Sequence, residues 1–341
     1  MMTTNTIMDR WIRPAAPTAV AVVGLILSVA SWSFVWNREA RIAQLEFGER
    51  ARSHAIALQS GIDDYGDRLA AVRALFQTAE HVIARQEFID FSQDLLQRDR
   101  AILNMSWIPR VSNESRLQHE LRARVAGLRG YEIKTFDPGG RLVRAPERAE
   151  YYPLLDFGQG TASHELHGLD LADDGFRQRT LERARDTGRL ATSPPLRLKG
   201  NAAGKTGFFQ VLPVYRGHAA DMSVSERRAN LVGFVQGIFQ IDAMIEQILN
   251  ALVTPAGLDL YFYNANETKP LYVHSARSRT EAAAVPDKAE LLAGRHWRGT
   301  LSVGDATWTL IAVPGPGGPG IPSRLGSLLV LFGGLVLTAA I

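Results

Sequence analysis

Pro17 to Trp36 reads PTAVAVVGLILSVASWSFVW, twenty residues without one charge. At about 1.5 Å per residue, a helix of that length crosses a hydrocarbon core of about 30 Å. A second run, Leu325 to Ile341 (LGSLLVLFGGLVLTAAI), is still apolar where the sequence stops. The plan is therefore anchor, domain, anchor. A cleaved signal peptide is the rival reading of the first run, but Trp32, Phe34 and Trp36 lead straight into Asn37-Arg38-Glu39-Ala40-Arg41. Aromatic residues at that depth suit the membrane interface of an uncleaved helix.

The second run reads as an incomplete transmembrane helix, and the sequence as part of a longer protein that continues into the cytoplasm. Arg10 and Arg13 before the first span are matched by Arg38 and Arg41 after it, so the positive-inside count does not orient the chain. An extracytoplasmic, periplasmic location for residues 37–324, on the inner membrane, is expected from the anchor-domain-anchor plan.

Composition removes several functions. With no cysteine, no disulfide, thiolate nucleophile or cysteine metal site is possible. The 38 basic and 35 acidic residues are spread along the chain for a net +3, with no basic run of the kind that binds nucleic acid. No phosphate loop, nucleophile elbow or serine-histidine-acid order stands out. No cofactor and no catalytic residue is expected.

After the first span, Leu58, Ile62, Tyr65, Leu69, Val72, Phe76 and Ala79 recur at alternating steps of four and three, the seam of a stalk helix. Such a seam packs either on its own domain or on a twin helix in a homodimer. Phe88 to Leu103 is amphipathic, Met105 to Val111 strand-like, and Glu114 to Leu128 helical with Leu117, Leu121, Val125 and Leu128 on one face. Tyr131 to Phe136 alternates as a strand before the turn Asp137-Pro138-Gly139-Gly140. A helix over Asp174 to Arg185 is followed by strands at Leu190 to Leu198, Gly207 to Tyr215 and Leu231 to Ile241, then a helix from Asp242 to Leu252. This order argues for α+β with antiparallel sheets.

Leu258 to Tyr263 and Arg298 to Val313 supply further strands, so a second, smaller unit is expected from residue 255 to 314. The full division is a short cytoplasmic N-terminus (1–16), transmembrane helix 1 (17–36), a stalk helix (37–84), a larger α+β domain (85–254), the smaller unit (255–314), a Pro/Gly linker (315–324) and transmembrane helix 2, truncated (325–341).

With these segments placed, six pieces in order resemble the CHASE sensor family, the extracellular domain of plant cytokinin receptors and many bacterial transducers. They are MSWIPRV at Met105, YYPLLDF at Tyr151, LHGLDL at Leu166, LERARDTGRLATSP at Leu181, GFFQVLPVY at Gly207 and LVGFVQGIFQID at Leu231. The resemblance covers roughly Phe88 to Leu249. It implies a long stalk helix carrying two PAS-like domains in tandem, a small-molecule ligand in the membrane-distal one, and a homodimer formed through the stalks. The output domain, a histidine kinase or a diguanylate cyclase, would lie beyond the residues present.

By the same resemblance the ligand-binding positions are Arg177, Leu181, Leu198, Val211, Phe234 and Gly237. Where the cytokinin receptors carry an aspartate that binds adenine, alignment on Arg183-Ala184-Arg185 places Arg177, and where they carry a threonine it places Val211. Both polar specificity elements are absent, so cytokinin is not the expected ligand. An Arg177 facing the pocket would favour a carboxylate or phosphate; on the helix surface it would face water.

His164 and His167 stand three apart but lack the His-Glu-x-x-His form of zinc proteases. Asp170, Asp173 and Asp174 lack the alternating ligands of a calcium loop, and Asp173 or Asp174 suits the cap of the following helix. No metal is expected. The rival functions are an anchored partner-binding module without a small ligand, and an anchored periplasmic hydrolase.

Overall fold

The computed structural model describes residues 8–78, 83, 85–97, 99–156, 166–198, 202–217, 221–252, 257–265, 267–275, 285–315, 318 and 320–340. In chain order these form α1 (Met8–Thr78), α2 (Arg85–Gln97), β1 (Ile102–Pro109), β2 (Val111–Ser112), α3 (Arg116–Val125), β3 (Lys134–Phe136), β4 (Leu142–Arg144), β5 (Glu150–Tyr151) and β6 (Leu155–Asp156). Next come α4 (Gly175–Thr187), β7 (Ala191–Thr192), β8 (Leu196–Arg197), β9 (Thr206–Tyr215), α5 (Val224–Asn230), β10 (Leu231–Gln240) and α6 (Ile241–Asn250). The last are β11 (Leu258–Asn264), β12 (Tyr272–His274), α7 (Lys288–Ala293), β13 (Trp297–Val303), β14 (Ala306–Pro314) and α8 (Leu325–Ala339).

Two antiparallel sheets hang on α1. The larger runs β6-β1-β10-β9-β7 with β8 also on β9, and the smaller runs β12-β11-β14-β13. Strand alternation gives each face of the larger sheet its own partner. Met105, Phe208, Leu212, Val235 and Phe239 face α1, whereas Ile108, Phe209, Val211 and Phe234 face α4 and its neighbouring loops. The core under α1 also takes Leu260, Leu310 and Trp308 from the smaller sheet. Phe208 stacks on Phe239 with centroids 5.4 Å apart and meets Trp308 edge-on at 5.4 Å, so one aromatic cluster joins both sheets. Each such ring pair adds about 0.5–1.5 kcal/mol beyond its burial.

The seam of the stalk is consumed within the chain. Leu58, Leu69 and Val72 are fully buried, Ile62 and Tyr65 nearly so, and all belong to this shared core. Of the two partners open to that seam, the chain's own sheets occupy it. The large apolar residues left exposed on the outer face of the stalk are Ile42, Leu45 and Ile56. Gln59 adds a specific anchor: its Nε2 donates to the Ser302 carbonyl at 3.0 Å and its Oε1 accepts from the Ser302 N–H at 2.8 Å. The exposed edge of β13 is thereby closed by a side-chain amide.

The N-terminal part of α1 is long and apolar enough to cross a membrane. Its Val22, Val23, Ile26 and Leu27 are exposed, as lipid-facing residues would be. The 15-residue α8 lies antiparallel to it. Small residues allow the approach: a Cβ added at Gly24 would lie 2.7 Å from Thr338, and one at Gly334 would lie 2.4 Å from the Ser28 hydroxyl.

Several expectations need correction. Leu117, Leu121 and Val125 are exposed at 72%, 58% and 82%, and α3 instead buries Arg116, Glu120 and Ala123. The reason is an ion pair: Arg116 Nε meets Glu120 Oε1 at 3.1 Å, with Glu120 also accepting from the Ile133 N–H at 3.1 Å. Within Tyr131 to Phe136 only Lys134–Phe136 is a strand. Leu190 to Leu198 is interrupted at Ser193-Pro194-Pro195 into β7 and β8, since proline cannot donate to a ladder. The amphipathic segment from Phe88 ends by Gln97, and Ile102 and Leu103 already belong to β1.

Candidate ligand site

Helix α4 forms one wall of a cavity of about 240 Å³. It starts at Asp174, whose carboxylate accepts from the Phe176 N–H at 3.0 Å, and ends at Gly188, in the left-handed region at φ +71°. Its C-terminal turn is held from outside. Arg227 donates to the Asp186 carbonyl at 2.9 Å, and Arg228 grips the Asp186 carboxylate at 2.9 and 2.6 Å. Arg228 and Arg185 together hold that carboxyl well below the usual carboxylate range, against a smaller opposing effect of burial. Cations at a helix C-terminus also meet its dipole favourably.

The opposite wall comes from the segment around β5. Gly168 permits its approach: at φ +81° a Cβ there would lie 2.0 Å from the Glu132 carbonyl oxygen. The buried Asp170 next to it accepts from the Tyr152 and Ala172 N–H groups at 2.9 and 3.1 Å. Burial pushes its carboxyl pKa up, opposed by those bonds and by Arg148. Arg148 contacts Asp170 at 3.5 Å and pairs with Asp173.

Leu181, Ala172, Tyr152 and Phe234 supply the apolar lining, with the Tyr152 and Phe234 rings 5.6 Å apart. The polar lining is Arg148, Glu150, Gln178, Glu182 and Arg185. Tyr152 donates to Glu150 at 2.8 Å, and burial, then Glu150, push the phenol up.

Of the six expected site residues, Leu181 and Phe234 line this cavity. Arg177 shares the α4 face of Leu181 one turn earlier, but Asp174 pins it at 2.8 Å outside the lining. Val211 is fully buried on the sheet face that carries Phe234. Leu198 packs by Gly207, at the other end of β9 from Pro213, the partner of Phe234. Gly237 faces the stalk: a Cβ there would meet Phe239 at 2.7 Å and Leu69 at 3.2 Å. Strand alternation, which resemblance alone does not follow, separates Gly237 from Phe234.

Other residues at the site were not singled out from the sequence. Arg185 and Glu182 lie inside the LERARDTG motif, yet only the helix orientation shows that they line the cavity. Ser106, Gln236 and Val211 form one cross-strand row on the cavity side of the sheet. Ser106 is fully buried and its Oγ has no hydrogen-bond partner among the described residues. His164 lies outside the described residues, and His167 is buried. Among the described residues no three histidine or carboxylate groups converge as a metal site.

The family model of the CHASE domain matches residues 81–273. Hybrid signal transduction histidine kinase A of Dictyostelium discoideum is 24% identical over 319 residues, covering 86% of this chain and 14% of that protein. Probable histidine kinase 6 of Oryza sativa subsp. japonica is 29% identical over 170 residues, covering 49% of this chain and 17% of that protein. The chain thus spans less than a fifth of either relative. Among solved structures, the ligand-binding domain of a Pseudomonas aeruginosa amino acid chemoreceptor, in complex with GABA, aligns with TM-score 0.41 and 13% identity over 80% of this chain and 99% of that one.

Proposed function

The chain belongs to the CHASE domain family, and on that premise we propose that it is the membrane-anchored, extracytoplasmic small-molecule sensor of a signal-transduction receptor. The observation that carries the reading is the route out of the cavity. Helix α4 lines it, Arg183 of the same helix bonds Asp305 in the β13–β14 turn at 2.9 Å, and β14 leads to α8 through a Pro/Gly-rich segment. A ligand that favours one position of α4 would bias that route by its differential affinity for two arrangements.

The larger sheet with α4 and the smaller sheet are read as tandem PAS-like units, the ligand lying in the first. α1 and α8 are read as two spans of the inner membrane, with residues 37–324 outside. A homodimer would use the outer stalk face at Ile42, Leu45 and Ile56, because the inner seam is occupied. The named relatives are histidine kinases, so the output proposed for a longer form of this protein is of that class, with a diguanylate cyclase as the alternative; catalysis is assigned to neither sheet.

The test is native mass spectrometry and thermal melting of the full chain in detergent micelles against a library of small metabolites. Retention of a small molecule, or a melting shift lost when Phe234→Trp fills the cavity, is expected, from a dimer. A library without effect, on a chain that carries nothing, would refute the sensor reading.

A further inference from the structure

We infer that the cavity is built for a small zwitterion of the amino-acid type, its carboxylate on Arg185 and its ammonium on Glu182. This assignment rests on the sensor reading and narrows it. Among the described residues four charged side chains line the cavity, and two are already committed. Arg148 is held by Asp170 and Asp173, and Glu150 accepts from Arg110 at 2.7 Å and from Tyr152 at 2.8 Å.

Arg185 and Glu182 keep unspent capacity. Arg185 donates its Nε to Asp186 at 2.7 Å, and that same carboxylate takes both bonds from Arg228. One carboxylate therefore serves two guanidiniums. Both Nη groups of Arg185 have no acceptor among the described residues, although its side chain is only 18% exposed. A planar fork in that state matches a carboxylate through two parallel bonds.

Glu182 accepts one bond, from the Gln178 amide at 2.9 Å, and has no ion-pair contact among the described residues. Three residues apart on α4, Glu182 and Arg185 are neighbours on the helix surface. They present an anion and a cation side by side on one wall.

This pairing also selects against other charge types. A dianion at Arg185 would stand against Glu182 and Glu150, and a polyamine at Glu182 would stand against Arg185 and Arg148; like charges in a confined site are costly. A zwitterion meets both signs. Its side chain has an apolar floor in Leu181, Tyr152 and Phe234, and about 240 Å³ equals roughly eight waters at about 30 Å³ each. That is room for one amino acid of moderate size.

Isothermal titration of the full chain in detergent micelles with the standard amino acids tests the assignment. At least one is expected to bind, and its analogues lacking either the ammonium or the carboxylate to bind at least about tenfold more weakly, as a half-buried charge loses its partner. Arg185→Gln and Glu182→Gln should each reproduce that loss, whereas Arg177→Ala should bind like the wild type. Truncated analogues that bind as well as the amino acid would overturn the inference, even if the variants fail to fold. If a neutral or singly charged metabolite occupies the cavity while every amino acid is inert, the sensor reading stands and the zwitterion falls. If nothing binds, both fall.

Discussion

Arg183 Nε donates to Asp305 Oδ2 at 2.9 Å, joining the helix that walls the cavity to the hairpin turn of the second sheet. The other Asp305 oxygen accepts from the Thr192 N–H at 2.6 Å, and Thr192 Oγ1 donates to the Val303 carbonyl at 2.6 Å. Gly304 makes this close approach possible: at φ +61° a Cβ there would lie 2.4 Å from Thr192 Oγ1. With side chains 44% and 34% exposed, the ion pair alone contributes less than about 1 kcal/mol. Arg183 also donates from Nη2 to the Thr192 carbonyl at 2.8 Å, but a carbonyl tolerates a lost bond better than an N–H does, and the Thr192 amide left without Asp305 costs about 1–3 kcal/mol. Asp305→Ala is therefore expected to destabilise the junction more than Arg183→Ala. Hydrogen exchange should show lost protection at Thr192 and residues 303–306, with β11 unchanged; equal protection in both variants would refute the ranking.

The buried Arg116–Glu120 pair governs a different part of the chain. Its side chains are 7% and 1% exposed, and Arg116 also donates to the Ala145 and Ile133 carbonyls at 2.9 and 3.2 Å. Arg116→Met removes the most buried of three arginines around Glu120, which keeps Arg144 at 3.2 Å and Arg124 at 3.5 Å, and unpairs the Ala145 and Ile133 carbonyls, which together costs about 1–3 kcal/mol. Leu117→Ser, one residue away on the exposed face, should change stability by no more than about 0.5 kcal/mol. Thermal melts of the two variants measure the contrast, and the apolar pattern read from the sequence alone predicts the reverse order.

That reversal shows what periodicity can and cannot carry. The steps of four and three over Leu58 to Phe76 mark a buried face of a helix whichever partner covers it, and only the sheet positions show that the partner is the same chain. In α3 the pattern points to the wrong face, because a satisfied ion cluster displaced the leucines from the interior. β9 and β10 were legible as long apolar runs, since both faces are covered. The two-residue strands β7 and β8 were not, being defined only by their register on β9. Of the positions expected from resemblance, Leu181 and Phe234 line the cavity and Arg177 does not: Arg185 lies two turns beyond Arg177 on the same helix, and sequence alone does not show that Asp174 holds Arg177 outside the lining.

Ser106 offers a test of the sheet face beside the cavity. Its hydroxyl is buried without a partner among the described residues, so it is desolvated with no bond in return there. Ser106→Ala is expected to leave the unliganded chain as stable as the wild type or up to about 1 kcal/mol more stable. Chemical denaturation midpoints check this. A loss above about 1 kcal/mol would mean that the hydroxyl is bonded in the folded chain.

Acid should act on the C-terminal turn of α4 before it reaches the sheets' apolar core. The Asp186 carboxyl is held low by Arg228 and Arg185, so its folded pKa lies below the unfolded value of about 3.9. Stability from this group is fully present above the unfolded value and is lost as pH falls from there through the folded value. Asp186→Asn should therefore lower the melting temperature at neutral pH and reduce the further loss below about pH 4. The Arg228→Gln variant should behave in the same sense, since its two bonds are the largest cause of the depression. Parallel melting curves from pH 7 down to pH 3 for wild type and Asp186→Asn would instead assign the acid sensitivity to other carboxylates.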